Sequence, residues 1–94
     1  MSPAPVSDDA RPHLARGTRL DYDDVRERRV LLVPEGAVAL NDTASAVLEL
    51  CDGERTVGTI VAELGERYGG ADVGDDVREL LVALAERGLV RDVL

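Results

Sequence analysis

The spacing of apolar residues changes once along this chain, near Leu40, from a repeat of two to a repeat of about 3.6. Before this point Leu20 and Tyr22 alternate with charged residues, which is typical of a half-buried strand. After it, apolar residues recur at positions i, i+3, i+4 and i+7, as in amphipathic helices. The order of strands followed by helices predicts an α+β domain in which a small sheet is covered by helices on one face.

Three strands are predicted before the switch, over residues 18–22, 30–33 and 37–40. A polar turn separates the first two strands, and Pro34-Glu35-Gly36 forms a tight turn before the third. Because these connections are short, consecutive strands pair as an antiparallel meander. A meander has two edges, and its third strand carries no charged residue after the turn.

Three helices are predicted after the switch, each with a polar residue before its first turn and a glycine near its end. The candidate N-caps are Asn41 or Asp42 for the first helix, Thr56 for the second, and Asp72 or Asp75 for the third. The glycines expected to end the helices are Gly53, then Gly69 with Gly70, then Gly88. Residues 89–94 form a short apolar segment that is expected to pack back on the core.

The third helix is expected to bury one apolar stripe and to expose its flanks. The stripe consists of Val73, Val77, Leu80 and Leu84, with Leu81 on one flank and Asp76 and Ala83 on the other. The second and third helices, joined by a short glycine-containing turn, also suggest a winged-helix-like shape. Residues 72–87, however, carry five acidic residues against two arginines, and a helix of this charge does not enter a DNA groove.

Charge and composition exclude several classes of partner. The net charge is −8, and all of it lies in residues 30–94, which hold five arginines and 13 acidic residues. Such a surface repels phosphate, so neither nucleic acid nor an anionic membrane is an expected partner. No apolar run approaches the roughly 20 residues of a membrane helix. A single cysteine is typical of a reducing compartment, and the expected location is the cytoplasm.

The chain is long enough for one domain, which is predicted over residues 13–94. Residues 1–12 contain three prolines and little apolar surface, so they are interpreted as a flexible N-terminal tail.

The sequence offers no set of residues for catalysis or for metal binding. Cys51 is expected beside Glu49 and Asp52, where a thiolate is disfavoured, and is interpreted as a core residue. His13 has no second histidine or cysteine with which to bind a metal. The expectation is a protein that is not an enzyme and uses no cofactor and no metal.

A set of short motifs in this order resembles the PqqD family of pyrroloquinoline quinone (PQQ) biosynthesis. They are Arg19-Leu20, Leu31-Leu32, Pro34-Glu35-Gly36, Leu40-Asn41, Leu50-Cys51-Asp52-Gly53, Thr56, Ile60-Val61, Leu64 and Asp76-Val77. The resemblance extends from about residue 12 to residue 90. It implies a peptide chaperone that binds a ribosomally made precursor peptide and presents it to a radical SAM enzyme, which cross-links a Glu and a Tyr of the peptide.

The resemblance also implies where the peptide binds. The third strand is a template for an incoming extended peptide, and the third helix forms the other wall. The candidate peptide-binding residues are Ala37, Val38, Ala39, Leu40 and Asn41 on the strand, and Asp76, Val77, Leu80, Leu81 and Leu84 on the helix. For Val77, Leu80 and Leu84 a role in the core is the favoured alternative, and for Leu81 the two roles stay open.

Two other functions stay open at this point. One is recognition of a leader peptide in another ribosomal-peptide modification pathway, which the gene neighbours would distinguish. The other, disfavoured by charge, is a winged-helix regulator. The expected oligomeric state is a monomer or a weak homodimer.

Overall fold

The computed structural model describes residues 6–93, along which eight elements follow one another. The strands are β1 (His13–Leu14), β2 (Arg19–Asp23), β3 (Arg28–Val33), β4 (Gly36–Ala39) and β5 (Val90–Arg91). The helices are α1 (Asp42–Glu49), α2 (Val57–Arg67) and α3 (Gly74–Glu86). The predicted α+β class is confirmed, with an antiparallel β2-β3-β4 sheet followed by three helices.

The three-stranded sheet buries one face against the helices. Leu20, Leu31 and Val38 lie directly opposite one another on β2, β3 and β4, so their side chains share this face. Leu31 is completely buried and belongs to the same apolar cluster as residues of all three helices. Ala37 and Ala39 lie on the opposite face and are exposed.

A second, two-stranded sheet closes the domain and was not predicted. β1 pairs with β5 in antiparallel register, with His13 opposite Arg91 and Leu14 opposite Val90. Strands of two residues are too short to show alternation, which is why the sequence pattern did not indicate them. The expected packing of the C-terminal segment is confirmed by the burial of Leu89, Val90 and Val93, and Leu94 lies outside the described residues.

Part of the predicted N-terminal tail, residues 1–5, lies outside the described residues. The remainder contacts the start of α2, whose first two amides donate hydrogen bonds to the carbonyls of Ala10 (2.9 Å) and Asp8 (3.0 Å). Pro12 is buried. Val6 is half-buried and packs against the core, so the packed surface extends into the predicted tail. The domain boundary at residue 13 stays a prediction.

The helix starts follow the predicted capping at two of three positions. Asn41 Oδ1 accepts a hydrogen bond from the amide three residues later at 2.7 Å, and Thr56 Oγ1 does so at 3.1 Å. The N-cap of α3 is Val73, which has no side-chain cap. Asp72 accepts a longer hydrogen bond, 3.3 Å, from the amide of Gly74 and supports this turn from outside the helix.

The end of α1 differs from the prediction. The helix ends at Glu49, and the amides of Leu50 and Cys51 bond three residues back, which tightens the last turn. Cys51 therefore lies just beyond the helix. Gly53 has the expected positive φ of 81°, but it does not cap the helix, because its amide donates to the carbonyl of Pro12 instead.

The buried stripe of α3 shares Val77 and Leu84 with the predicted one and differs from it at the other two positions. Gly74, Val77, Leu81 and Leu84 are the buried residues of the helix. Leu81, predicted on the flank, is completely buried, and Leu80, predicted in the stripe, is half-buried. Adjacent leucines fit either phase of a 3.6-residue repeat, so the pattern alone did not distinguish them.

Candidate functional site

The backbone of β4 presents hydrogen-bonding groups at the edge of the sheet. Leu40, one residue past the strand, donates its amide to the carbonyl of Arg29 at 3.1 Å, and these two residues are opposite each other in the β3–β4 register. Hydrogen-bonded pairs alternate with non-bonded pairs along an antiparallel ladder. Val38 and Gly36 therefore also bond to β3, whereas the amides and carbonyls of Ala37 and Ala39 point outward.

The side chains of this edge leave the backbone accessible. Ala37 and Ala39 are small and exposed, and β4 contains no charged residue. Val38 and Leu40 are half-buried and pack against the apolar core. The strand is therefore held in place by one set of side chains and is not covered by the other.

A groove lies between β4 and the chain segment that follows α3, with a volume of about 540 Å³. We refer to it as the β4 groove, and its walls include Val33, Gly36, Ala37, Val38, Arg87 and Leu89. Glu35 also lines it. A second depression, of about 380 Å³, lies at the other end of the strand and is lined by Arg28, Ala39, Leu40, Asn41 and Asp42.

The five candidate residues of β4 and its end are thus brought to two adjoining depressions, but those of α3 are not. Val77, Leu81 and Leu84 are buried in the core. Leu80 is half-buried and Asp76 is exposed in the first turn, and neither lines either depression. Asp76 precedes Arg87 by eleven residues, or about 16 Å along a helix axis.

The α3 side of the groove comes from residues that the sequence analysis missed as site residues. Arg87 follows the last residue of α3, and Leu89 is folded back by two hydrogen bonds typical of a glycine-ended helix. In these bonds, the amide of Gly88 donates to Ala85 at 2.9 Å and that of Leu89 donates to Leu84 at 2.9 Å. In the sequence, a glycine after the last helical residue, followed by leucine, was the signal that the chain turns back here and buries the leucine.

Three charged side chains around the two depressions make no ion pair in the described part of the chain. Within residues 6–93, no oppositely charged side chain lies within ion-pair distance of Arg87, Arg28 or Glu35. By contrast, Arg29 contacts Glu49 at 2.7 Å and joins β3 to α1.

Cys51 is a core residue, as predicted. It is 5% exposed, and its thiol donates to the carbonyl of Val47 with an Sγ–O distance of 3.3 Å. Burial, and secondarily the negative charge of Asp52, raises the pKa of this thiol to about 12. A thiol with such a pKa stays protonated near neutral pH and is a poor nucleophile.

Two features are absent from the described part of the chain. No three His, Cys, Asp or Glu side chains of residues 6–93 are grouped so that they could hold a metal ion. No helix in the same range is long and apolar enough to cross a membrane.

The chain is similar to proteins of one family. The model of the family described as coenzyme PQQ synthesis protein D (PqqD) matches residues 28–90. A PqqA binding protein of Methylococcus capsulatus is 38% identical over 76 residues, which cover 81% of this chain and 82% of that protein. The PqqA binding protein of Klebsiella pneumoniae is 51% identical over 69 residues, which cover 70% and 73%.

Two solved structures are similar to this one. The solution NMR structure of the PqqD truncation of Methylobacterium extorquens PqqCD has a TM-score of 0.79 and 39% identity, and the match covers 97% of this chain and 99% of that one. That protein is described as a functional and stand-alone recognition element for ribosomally synthesized and post-translationally modified peptides (RiPPs). The crystal structure of PqqD from Xanthomonas campestris has a TM-score of 0.56 and 34% identity, over 93% and 99% of the two chains.

Proposed function

The chain belongs to the PqqD family, and on this premise we propose that it binds the precursor peptide PqqA in PQQ biosynthesis by adding the peptide as a fourth strand at β4. The relatives' role as PqqA binding proteins supports the ligand. The outward amides and carbonyls of Ala37 and Ala39 support the mode of binding.

The outward backbone groups are the single observation that carries this proposal. A peptide aligned with Ala37 and Ala39 pairs with two amides and two carbonyls. Each such hydrogen bond contributes about 0.5–1.5 kcal/mol net, so the backbone supplies useful affinity without reading sequence. Side chains that enter the β4 groove then supply selectivity.

The contact residues are those of β4 and its end: Ala37, Val38, Ala39, Leu40 and Asn41. The opposite wall is formed by Arg87 and Leu89, which line the same groove. On α3, Asp76 and Leu80 retain accessible surface but line neither depression, whereas Val77, Leu81 and Leu84 hold the helix in the core.

Family membership supports a finer role as part of the same proposal. The chain presents the bound peptide to the radical SAM enzyme that cross-links its Glu and Tyr, and it performs no chemistry itself. It acts in the cytoplasm, as a monomer or a weak homodimer. The buried, unpaired thiol of Cys51 is compatible with a reducing compartment.

Isothermal titration with synthetic PqqA tests the proposal. The expected result is saturable binding at least tenfold tighter than that of a scrambled peptide of the same composition, because pairing at an edge must be joined by side-chain selectivity. Addition of the chain should also accelerate cross-linking of PqqA by the radical SAM enzyme. Equal binding of the two peptides, or none of either, would contradict the proposal.

A further inference from the structure

The β4 groove receives side chains from alternate residues of an added strand. Residues directly opposite each other in a sheet place their side chains on the same face, whichever direction the added strand runs. The peptide residues opposite Gly36 and Val38 therefore face the helices and the groove. The residue between them, opposite Ala37, faces away from the groove, toward the exposed side of the sheet.

The position opposite Gly36 is the roomier of the two. Gly36 has no side chain, and a Cβ built there meets no atom within 4 Å. Its φ of 152° is one that residues with side chains rarely adopt, so the gap belongs to the turn geometry. The nearby walls are aliphatic, formed by Val33, Val38 and Leu89.

The charges at this position favour an ionised side chain of neither sign. Glu35 and Arg87 both line the groove, so an ionised side chain is attracted by one of them and repelled by the other. A neutral aromatic ring meets neither repulsion. Its edges contact the aliphatic walls, and its face is attractive to the planar guanidinium of Arg87, which has no ion-pair partner within residues 6–93.

We infer that this site selects a peptide segment with apolar side chains two residues apart, and that the one opposite Gly36 is an aromatic ring that stacks on Arg87. This inference rests on the proposed strand addition at β4 and specifies which side chains that site reads. Arg87 is its specificity-determining residue, and the peptide residue opposite Ala37 contributes backbone contacts only.

An alanine scan of PqqA, with dissociation constants measured for the wild-type chain and for Arg87→Gln, tests the inference. Two positions, i and i+2, should each weaken binding about tenfold or more when replaced by alanine, and one of them should be aromatic. Replacement of the residue between them should have little effect. Leucine in place of the aromatic residue should weaken binding to the wild-type chain about two- to fivefold.

The Arg87 variants separate stacking from general charge. Arg87→Gln should weaken unmodified PqqA by the same two- to fivefold and should abolish the difference between aromatic and leucine. Arg87→Lys should recover only part of the loss, because an ammonium group lacks the planar face. Arg91→Gln is the matched control, since Arg91 is exposed on β5 and does not line the groove, and it should leave the affinity unchanged.

Two outcomes would overturn the inference while leaving the proposed function intact. One is binding of PqqA with sensitive positions that are not two residues apart. The other is an aromatic-to-leucine penalty that is the same in the wild-type and Arg87→Gln chains. A failure of the wild-type chain to bind PqqA at all would overturn the proposed function together with the inference.

Discussion

The two edges of the three-stranded sheet have the same backbone geometry and differ in the groups that protect their outward amides. Alternate residues of β3, such as Leu31, bond to β4, and the residues between them bond to β2. Leu20 lies opposite Leu31, so the amides of Leu20 and Tyr22 are not bonded to β3 and point outward from β2. The amide of Tyr22 already donates to Asp21 Oδ1 at 2.8 Å. The amides of Ala37 and Ala39 on β4 have no such partner among residues 6–93.

Side chains reinforce this difference. Three of the five residues of β2 are charged, whereas none of β4 is. Natural sheets protect their edges with charges and with local hydrogen bonds that compete with strand pairing. In this domain β2 carries these protections and β4 does not. Every three-stranded sheet has two edges, so the lack of protection is specific to β4.

The largest effect is expected from a test of whether α3, and not the edge, binds the peptide. Leu81→Glu places an unpaired charge in the core and should cost about 4 kcal/mol or more, a large part of the stability of a domain this size. Leu80→Glu, one residue away and half-buried, should melt within a few degrees of the wild type and should bind PqqA normally. A folded Leu80→Glu variant without affinity would move the site to α3.

The next largest effect tests the difference between the two edges directly. Proline at Ala37 or at Ala39 removes an outward amide and leaves the bonds to β3 intact. Each variant should bind PqqA at least tenfold more weakly, or by about 1.4 kcal/mol, with a native circular dichroism spectrum. Tyr22→Pro removes the corresponding amide at the other edge and should change affinity less than twofold. Equal losses at both edges would contradict the distinction between them.

A smaller effect separates stability from binding. Cys51 is buried and lines neither depression, so Cys51→Ala should lower the free energy of unfolding by about 1 kcal/mol and keep the PqqA affinity within about threefold. Complete loss of binding in a Cys51→Ala protein that stays folded would contradict the interpretation of Cys51 as a packing residue.

The raised pKa of the Cys51 thiol predicts that the stability of the protein depends on pH. This pKa is raised from an ordinary value of 9.0 to about 12 in the folded protein, so the unfolded chain loses the proton first as pH rises. The contribution of this thiol to the free energy of unfolding is therefore complete below pH 9 and is lost as pH rises toward about 12. The free energy of unfolding, measured with urea at a series of pH values, should fall more steeply above pH 9 for the wild type than for Cys51→Ala. The same dependence on pH in both proteins would contradict this prediction.

The smallest effect concerns the N-terminal segment. Deletion of residues 1–9 removes the carbonyl and carboxylate of Asp8, and the carboxylate contacts Arg78 at 2.7 Å. The ion pair is at the surface, so we expect a stability loss of about 1 kcal/mol or less and unchanged PqqA affinity. A collapse of binding would place this segment in the site.

Sequence alone predicted the parts of the fold that depend on local pattern. The strand order, the caps Asn41 and Thr56, and the uncharged edge at β4 follow from neighbouring residues. The β1–β5 pair did not, because it joins distant segments through two-residue strands. The phase of α3 also required tertiary packing, since Leu80 and Leu81 fit the helical period equally well.

The candidate site was predictable on one side only. Residues 37–41 lie consecutively on one strand, so a single correct strand assignment located them. Arg87 and Leu89 face that strand only because the chain turns back after α3, and no local pattern states which strand they approach. The direction of the amides of Ala37 and Ala39 required the register with β3, which one hydrogen bond from Leu40 established.

Amide hydrogen exchange, resolved by residue with and without saturating PqqA, tests the central claim most directly. We predict that the amides of Ala37 and Ala39 exchange quickly in the free protein and become at least tenfold more protected in the complex, because they then bond to the peptide. The amides of Leu20 and Tyr22 should be unchanged. Protection at β2 with none at β4, or binding without protection at either edge, would contradict strand addition at β4.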